Sequence, residues 1–158
     1  TYHDIGMIWG ARMISDEGVF GDRNPEEFNG FPVQKHIIFM TDGLMCPNGV
    51  TYSAYGVEQG QRRVTPAGTS LDTNCEDPNA YTTYQNTHSR RFEIACNAAK
   101  SLGEQGVSVW VVSFEAPLTG SLINCADSGR AFMATDEAEL IEQFRNIGKS
   151  IAALRITG

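Results

Sequence analysis

The chain has 158 residues, a length typical of one domain. Hydrophobic residues make up 41% and charged residues 20%, which argues against general disorder. The 12 Lys and Arg residues against 19 Asp and Glu residues give a net charge of −7. Because no basic cluster exceeds two adjacent arginines, nucleic acid is excluded as the expected partner.

The first predicted elements are a helix and a long loop. Residues 3–15 have a helical pattern in which Gly6 and Gly10 are spaced for the close approach of another element, and Ile5, Ile8 and Trp9 share one face. Gly, Asn and Pro residues interrupt 16–34, which we therefore predict to be loop.

The run His36–Met40 predicts a short strand. It is rich in β-formers, bounded by turn signals and continuously apolar after His36, which is typical of a strand buried on both faces of a parallel sheet. Residues 43–88 then carry no periodic pattern. A connection of this length predicts a functional excursion or an insertion, with a short helix expected within 54–61.

The second half of the chain predicts regular elements. We expect a helix over 89–104 capped by Ser89, strands at 107–114 and 131–134, and one helical turn within 121–126. Asp136 is the expected cap of the last helix, with Glu139 at the capping-box position. That helix has an apolar face made of Leu140, Ile141, Phe144, Ile147, Ile151 and Leu154.

Apolar strands separated by helices predict the fold class. The expected fold is α/β, with a parallel, doubly wound, Rossmann-like sheet that has helices on both faces. We treat residues 1–158 as a single domain with a long loop insertion at 43–88.

Asp42 is the first candidate functional residue. It follows a predicted buried strand, so it should lie at the carboxyl end of a parallel strand, where doubly wound sheets bind their ligands. Such an aspartate can ligate a hard cation, accept a phosphoryl group or cap a turn, and an Asp-Gly pair after a strand is more often a turn than a binding site. His3, His36 and His88 show no metal-ligand spacing, and His36 is expected to be structural.

The four cysteines, at positions 46, 75, 96 and 125, include no Cys-x-x-Cys pair. This spacing argues against a zinc site. Their number fits two disulfides in an oxidising compartment as well as it fits four buried thiols.

The ordered set of segments resembles the von Willebrand factor A domain. His36–Gly43 (HIIFMTDG) is similar to the fourth strand and Thr-Asp-Gly corner of that family, and Thr1 followed by Gly6-Met7 is similar to its Thr-x-x-x-x-Gly-Leu segment. More narrowly, the segments TYHDIGMIWGARMIS, RFEIACNAAKSLGEQGVSVWVVSF, LINCAD and IAALRITG resemble the C-terminal part of Tad (Flp, tight adherence) pilus-assembly proteins. Those are bacterial envelope proteins with an N-terminal membrane anchor and a periplasmic von Willebrand A region.

The resemblance implies a metal site. In the family, the residues matched by Thr1 and Asp42 belong to a metal-ion-dependent adhesion site, whose third element, Asp-x-Ser-x-Ser, lies on the first strand. That element and the first three strands are absent from this sequence. A divalent ion takes about six oxygen ligands. We therefore expect Mg²⁺ in an intact domain and an incomplete site, with no bound ion, in this chain.

The implied periplasmic location favours disulfides over free thiols. Cys96 lies in the helix before strand 107–114 and Cys125 in the loop after it, so both can flank that strand and are expected to pair. Cys46 and Cys75 both lie in the excursion and are expected to close it.

These features lead to three functional hypotheses. The leading one is a non-enzymatic binding module of the cell envelope, serving Tad pilus assembly or adhesion, whose parent protein is anchored in the membrane upstream of this chain. Its partner would be a protein of pilus assembly or a host or surface ligand. The alternative is an α/β enzyme or receiver-like phosphoacceptor with Asp42 as nucleophile, although Ser113-Phe114-Glu115 supplies no lysine at the end of the next strand. The third is a scaffold without a ligand.

Without the first strand of the family, one side of 36–41 should carry unpaired backbone groups. Such an apolar edge should not stay bare. An edge-to-edge homodimer or a retained N-terminal fragment is the favoured way to cover it, and a strand folding back from 43–88 is the third way.

Overall fold

The computed structural model describes residues 2–77 and 82–154. The helices are α1 (His3–Ile14), α2 (Glu58–Gln61), α3 (Thr83–Lys100), α4 (Gly120–Cys125) and α5 (Glu137–Leu154). The strands are β1 (Glu27–Phe28), β2 (Phe31–Pro32), β3 (Lys35–Thr41), β4 (Val107–Phe114) and β5 (Ala131–Ala134).

A parallel sheet with the order β3-β4-β5 forms the centre of the described structure. β3 pairs with β4 in a register that places Ile37 beside Val109. On one face, Met7 of α1 and Phe92 of α3 pack in a cluster with Val109. On the other face, Ile147 of α5 packs with Trp110 and Val112. The predicted α/β class, with a parallel sheet between helices, is confirmed.

The prediction that β3 is buried on both faces is wrong. Ile37 and Phe39 pack against the cluster on the α1 face. Ile38 and Met40 point to the opposite face and are 39% and 50% exposed. The reason is the place of β3 at the edge of the described sheet, where α5 covers the neighbouring β4 but leaves these two side chains open to solvent.

Helix α1 approaches β3 closely at its glycines, as the spacing predicts. A Cβ atom at Gly6 would lie 3.4 Å from Phe39 Cε2, and one at Gly10 would lie 3.8 Å from Ile37 Cγ2. The predicted apolar face is wrong in part, because Trp9 is 48% exposed. The fully buried face instead carries His3, Asp4 and Met7.

Helix α3 begins six residues before the expected start at residue 89. Its cap is Thr82 rather than Ser89, because the Thr82 side chain and Gln85 form a capping box. The excursion therefore ends at residue 82, and within its described part only α2 and an isolated bridge between Ser53 and Gly56 are regular. In the described residues, no strand from this excursion pairs with β3, so the fold-back alternative finds no support.

The segment predicted to be loop contains a hairpin. β1 and β2 pair antiparallel, with Phe28 opposite Phe31. Asn29 and Gly30 connect them with φ angles of 54° and 81°, the two positive values of a type I′ turn. In the sequence, only the Asn29-Gly30 pair indicates this hairpin, because strands of two residues are too short to show an alternation of apolar and polar residues.

Helix α5 starts at its predicted cap, where Asp136 Oδ1 accepts a hydrogen bond from the Glu139 backbone at 2.8 Å. Only part of its apolar face is covered. Ile147 is buried and Leu140 and Ile151 pack beside it, while Ile141 and Phe144 stay exposed. The side chain of Leu154 lies outside the described part of the structure.

Both expected disulfides are present, Cys46–Cys75 and Cys96–Cys125, with Cα–Cα distances of 5.5 and 5.2 Å. Two disulfides fit an oxidising compartment. In residues 2–77 and 82–154, no helix combines the length and the apolar character needed to cross a membrane.

Candidate functional site

The candidate site lies where β3 ends and α1 begins. Thr41, the last residue of β3, is buried, and its Oγ1 atom lies 3.0 Å from Nε2 of His3. The same hydroxyl donates to the Gly43 carbonyl at 3.0 Å and so closes the Thr-Asp-Gly corner. Burial lowers the pKa of His3 from 6.5 to about 4, so this imidazole is neutral at pH 7.

Asp42 is exposed at this corner. It directly follows Thr41, the last residue of β3, which pairs parallel with β4. Its predicted position at the carboxyl end of a parallel strand is therefore confirmed. Thr1, the other predicted metal ligand, lies outside the described residues. Among the described residues, no group of three or more His, Cys, Asp or Glu side chains is arranged to hold a metal ion.

A buried, hydrogen-bonded pair of side chains lies beside this corner, between α1 and α3. Asp4 Oδ2 is 2.8 Å from Nδ1 of His88, and both side chains are 0% exposed. A carboxylate can only accept, so His88 Nδ1 is the donor and carries the proton. His88 Nε2 then has no hydrogen-bond partner in the described structure. The sequence prediction missed this pair.

Two further groups converge on Asp4. The Tyr55 hydroxyl donates to Oδ2 at 2.9 Å, and Nε of Arg91 lies 3.7 Å from the same oxygen. The Arg91 guanidinium also lies 4.7 Å from the centre of the Tyr55 ring. Burial raises the pKa of Tyr55, so its hydroxyl stays protonated and remains a donor. Tyr55 thus joins the excursion to both helices.

His88 is surrounded by aromatic rings as well. Tyr84 and Tyr2 contact it edge-on, with centroid distances of 4.9 and 5.1 Å, and Tyr55 lies at 5.7 Å. Because no side of the imidazole is exposed, it is enclosed by protein groups rather than presented to a solute. This centre stabilises the junction of α1, α3 and the excursion.

The excursion is fastened at two more places. Gln85 of α3 is fully buried; its Oε1 accepts from the Asn74 backbone at 2.7 Å, and its Nε2 donates to the Met45 carbonyl at 3.2 Å. Glu58 accepts from the backbone of Arg63 and from both the backbone and the hydroxyl of Thr65. Burial alone would raise the Glu58 pKa, but these hydrogen bonds outweigh it and lower the pKa.

A periodic signal for His88 exists in the sequence. His88 precedes Phe92, Ala95 and Ala99 at helical spacing, and all four are buried on one stripe of α3. Extending the predicted stripe one turn upstream would have placed His88 inside the protein. Asp4 as its partner has no such signal, because 84 positions separate the two residues.

Elsewhere, an acidic cleft borders the β1–β2 hairpin. It is lined by Asp16, Glu17, Glu26, Glu27 and Glu104, with Ser15 and Ser101–Gly103. Glu26 is already engaged, since it pairs with Lys35 and accepts a hydrogen bond from the Glu104 backbone at 3.2 Å. Through these two contacts, Glu26 connects the segment before the hairpin to the start of β3 and to the turn before β4.

His36 is half-buried, and its Nδ1 atom accepts a hydrogen bond from Trp110 Nε1 at 3.3 Å. This contact agrees with the structural role predicted for it.

Comparisons with models of protein families, with curated proteins and with solved structures found no match to this chain.

Proposed function

We propose that this chain is a non-enzymatic binding module of the bacterial cell envelope, related to von Willebrand factor A domains and acting in Tad pilus assembly or adhesion. Its partner is a protein of pilus assembly or a ligand on a host or other surface. The parent protein is anchored in the membrane and exposes this region to the periplasm.

The contact between His3 and Thr41 carries the proposal. It brings the beginning of α1 against the corner that holds Asp42, at the carboxyl edge of a parallel sheet. A site that uses residues from the start of α1 and from the end of β3 requires this neighbourhood. The exposure of Asp42 makes it available to a partner, and the two disulfides agree with the periplasm.

The described residues do not fit a complete Mg²⁺ site. Asp42 is one carboxylate, and the nearby Thr41 hydroxyl already bonds to Gly43 and contacts His3. These groups supply fewer oxygen ligands than the about six that Mg²⁺ requires. We therefore propose that binding by this chain alone does not depend on Mg²⁺, and that a metal contributes only when further ligands are supplied.

The rival hypothesis, a phosphoacceptor with Asp42 as nucleophile, has weaker support. A phosphoacceptor aspartate needs a cation to stabilise the incoming phosphoryl group. In the described structure, β4 ends in Ser113 and Phe114, and neither side chain is a cation. The Ser113 hydroxyl also donates a hydrogen bond to the Ala116 carbonyl at 2.8 Å, so it is already engaged.

Two experiments separate these functions. Incubation with acetyl phosphate followed by mass spectrometry should leave the chain unmodified; a phosphoryl adduct on Asp42 would establish the rival. In the bacterium that encodes the protein, Asp42→Ala should reduce pilus-dependent surface attachment without lowering the amount of protein.

The matched control is Asp22→Ala, which removes another exposed carboxylate that lies outside the Thr-Asp-Gly corner. The control strain should attach like the wild type. Normal attachment by the Asp42→Ala strain would reject the proposed role of this corner.

A further inference from the structure

A second cleft lies within the excursion and shares no residue with the Thr-Asp-Gly corner. Its volume is about 570 Å³, inside the range of about 300–1,000 Å³ that small-molecule sites occupy. Its walls come from three segments: residues 48–50, α2 with its C-cap Arg62, and residues 69–73. Apart from Gly49, Val50 and Leu71, every described lining residue is polar. This composition indicates a polar ligand.

The three walls are joined to one another although they have little regular structure. The Gln59 backbone donates to the Gly49 carbonyl at 2.8 Å, and Arg62 Nη1 donates to the Thr69 carbonyl at 2.8 Å. Gly49 also lies so close to the third wall that a Cβ atom on it would be 2.6 Å from Leu71 Cδ1. Each segment therefore contacts the other two, or is bonded to them.

The same walls are anchored to the helices of the protein. The Tyr2 hydroxyl, next to α1, donates to the Asn48 carbonyl at 2.8 Å and accepts from the Asn48 backbone at 3.0 Å. The Thr82 hydroxyl, at the cap of α3, donates to the Asp72 carbonyl at 2.6 Å. Walls that are held in place before a ligand arrives lose little conformational entropy on binding, which favours affinity.

Two opposite charges line the cleft, and neither forms a salt bridge in the described part of the chain. Arg62 is half-buried, and its hydrogen bond to Thr69 uses only one of the N–H donors of its guanidinium. Asp72 accepts from the Ser70 hydroxyl through Oδ2 at 2.6 Å, which leaves Oδ1 available. The cleft thus offers strong donors and strong acceptors while its formal charges balance.

We propose that this cleft binds a neutral saccharide. A sugar hydroxyl both donates and accepts, so a polyhydroxylated ligand matches a lining that mixes guanidinium, carboxylate, amide and hydroxyl groups. The balanced charges of the cleft and the net charge of −7 of the chain both disfavour an anionic ligand. Val50 and Leu71 supply apolar surface for the C–H groups of a sugar ring. The inference is independent of the proposed function, because it concerns other residues than the corner that holds Asp42.

A free amino acid is the other small ligand whose charges balance. Its carboxylate would pair with Arg62 and its ammonium group with Asp72. It would leave the Gln59 amide and the hydroxyls of Ser70 and Thr73 without a ligand group, so it matches less of the lining than a saccharide does.

Titration of the ¹⁵N-labelled chain, followed by NMR, tests the proposal. The probes are glucose, galactose, mannose, N-acetylglucosamine and disaccharides of these sugars, each at up to about 10 mM, which detects millimolar affinity. The expected result is saturable shifts of backbone amides in 48–50, 59–62 and 69–73 with one or more of them. Absence of these shifts with every sugar overturns the proposal, and so do shifts confined to other residues. Shifts in the three segments with glycine or alanine, and with no sugar, also overturn it.

Arg62→Asn should raise the dissociation constant of that sugar roughly tenfold or more, because the guanidinium donors are lost. Asparagine tolerates the positive φ of 46° at this position, so the backbone is not strained. Arg63→Asn is the matched control. It makes the same change of charge at an exposed neighbour that does not line the cleft, and it should leave the constant unchanged.

Should Arg62→Asn fail to fold, Asp72→Asn gives a second test of the same cleft. Asparagine keeps an acceptor for the Ser70 hydroxyl but removes the carboxylate charge, so the dissociation constant should again rise. Equal effects of the cleft variant and Arg63→Asn would reject the saccharide site.

Discussion

Asp4 is a buried carboxylate that is held by groups from two other parts of the chain, helix α3 and the excursion. Its Oδ2 atom receives hydrogen bonds from His88 and Tyr55 and lies 3.7 Å from Arg91. An unpaired charge in this position would cost several kcal/mol. Removing the Asp4 carboxylate would leave the enclosed His88 imidazole and the Arg91 guanidinium without their partner.

Asp4→Ala should lower the free energy of unfolding by about 3–5 kcal/mol, as expected when one partner of a buried pair is removed. Urea denaturation followed by circular dichroism measures the change. Asp22→Ala is the control, since an exposed substitution should stay within about 0.5 kcal/mol. A loss below about 1 kcal/mol in Asp4→Ala would contradict the assigned role of the pair.

His3 predicts a defined pH dependence. Its folded pKa of about 4 lies below the unfolded value of 6.5, so the folded state favours the neutral imidazole. The stability from this group is fully present above pH 6.5 and is lost as the pH falls towards 4, by about 3 kcal/mol in total. The His3→Gln variant should lose less stability over this range.

An NMR titration of the histidine ring protons checks this prediction directly. One imidazole should titrate near pH 4 in the wild type, and that signal should be missing from His3→Gln. A His3 midpoint near 6.5 would show that burial does not act on this ring as described.

At the scale of elements, α3 organises the excursion as well as the core. One side of the helix packs Phe92, Ala95 and Ala99 into the main cluster. Its first turn carries Gln85, which bonds to the backbone of Asn74 and of Met45. Because the two loop segments meet at one side chain, the start of α3 and the path of the loop depend on each other.

Gln85→Leu should destabilise the protein by about 1–3 kcal/mol, because buried backbone groups of the loop would lose their partners. Hydrogen exchange should increase first around residues 43–47 and 72–77. Arg90→Ala, at an exposed position on the same helix, is the control and should leave exchange in both segments unchanged. Loop exchange equal to that of the wild type in Gln85→Leu would argue against this fastening.

At the scale of the whole molecule, the two disulfides differ in their surroundings. Both join cysteines 29 positions apart, so the chain-entropy contribution is about 3–4 kcal/mol for each. Cys96 and Cys125 are completely buried in the main cluster, while Cys75 is exposed. Because the two closed loops have equal lengths, a difference in stability between the two disulfides reports burial rather than loop closure.

Mild reduction should open Cys46–Cys75 first, because a reducing thiol can reach it. Alkylation and peptide mass spectrometry at increasing dithiothreitol measure the order. Replacing Cys96 and Cys125 by alanine should cost more stability than replacing Cys46 and Cys75, since lost core packing adds to the lost closure. Simultaneous reduction of both bonds, or equal losses in the two double variants, would contradict this difference.

Local patterns were sufficient for much of the fold. The bounds of β4 and β5, the cap at Asp136 and the parallel α/β class follow from apolar runs and turn residues that lie close together in sequence. The position of Asp42 at a strand end follows in the same way. Each of these features depends on neighbours within a few residues, which is the range over which periodicity and capping act.

Tertiary structure alone decided the rest. Asp4, Tyr55 and His88 are far apart in sequence, and only the packing of α1 against α3 brings them together. Trp9 and Ile38 look like core residues by pattern but remain partly exposed, because burial depends on which element lies above them. The period of a helix or strand defines its faces, whereas the neighbour that covers each face is set by contacts between distant segments.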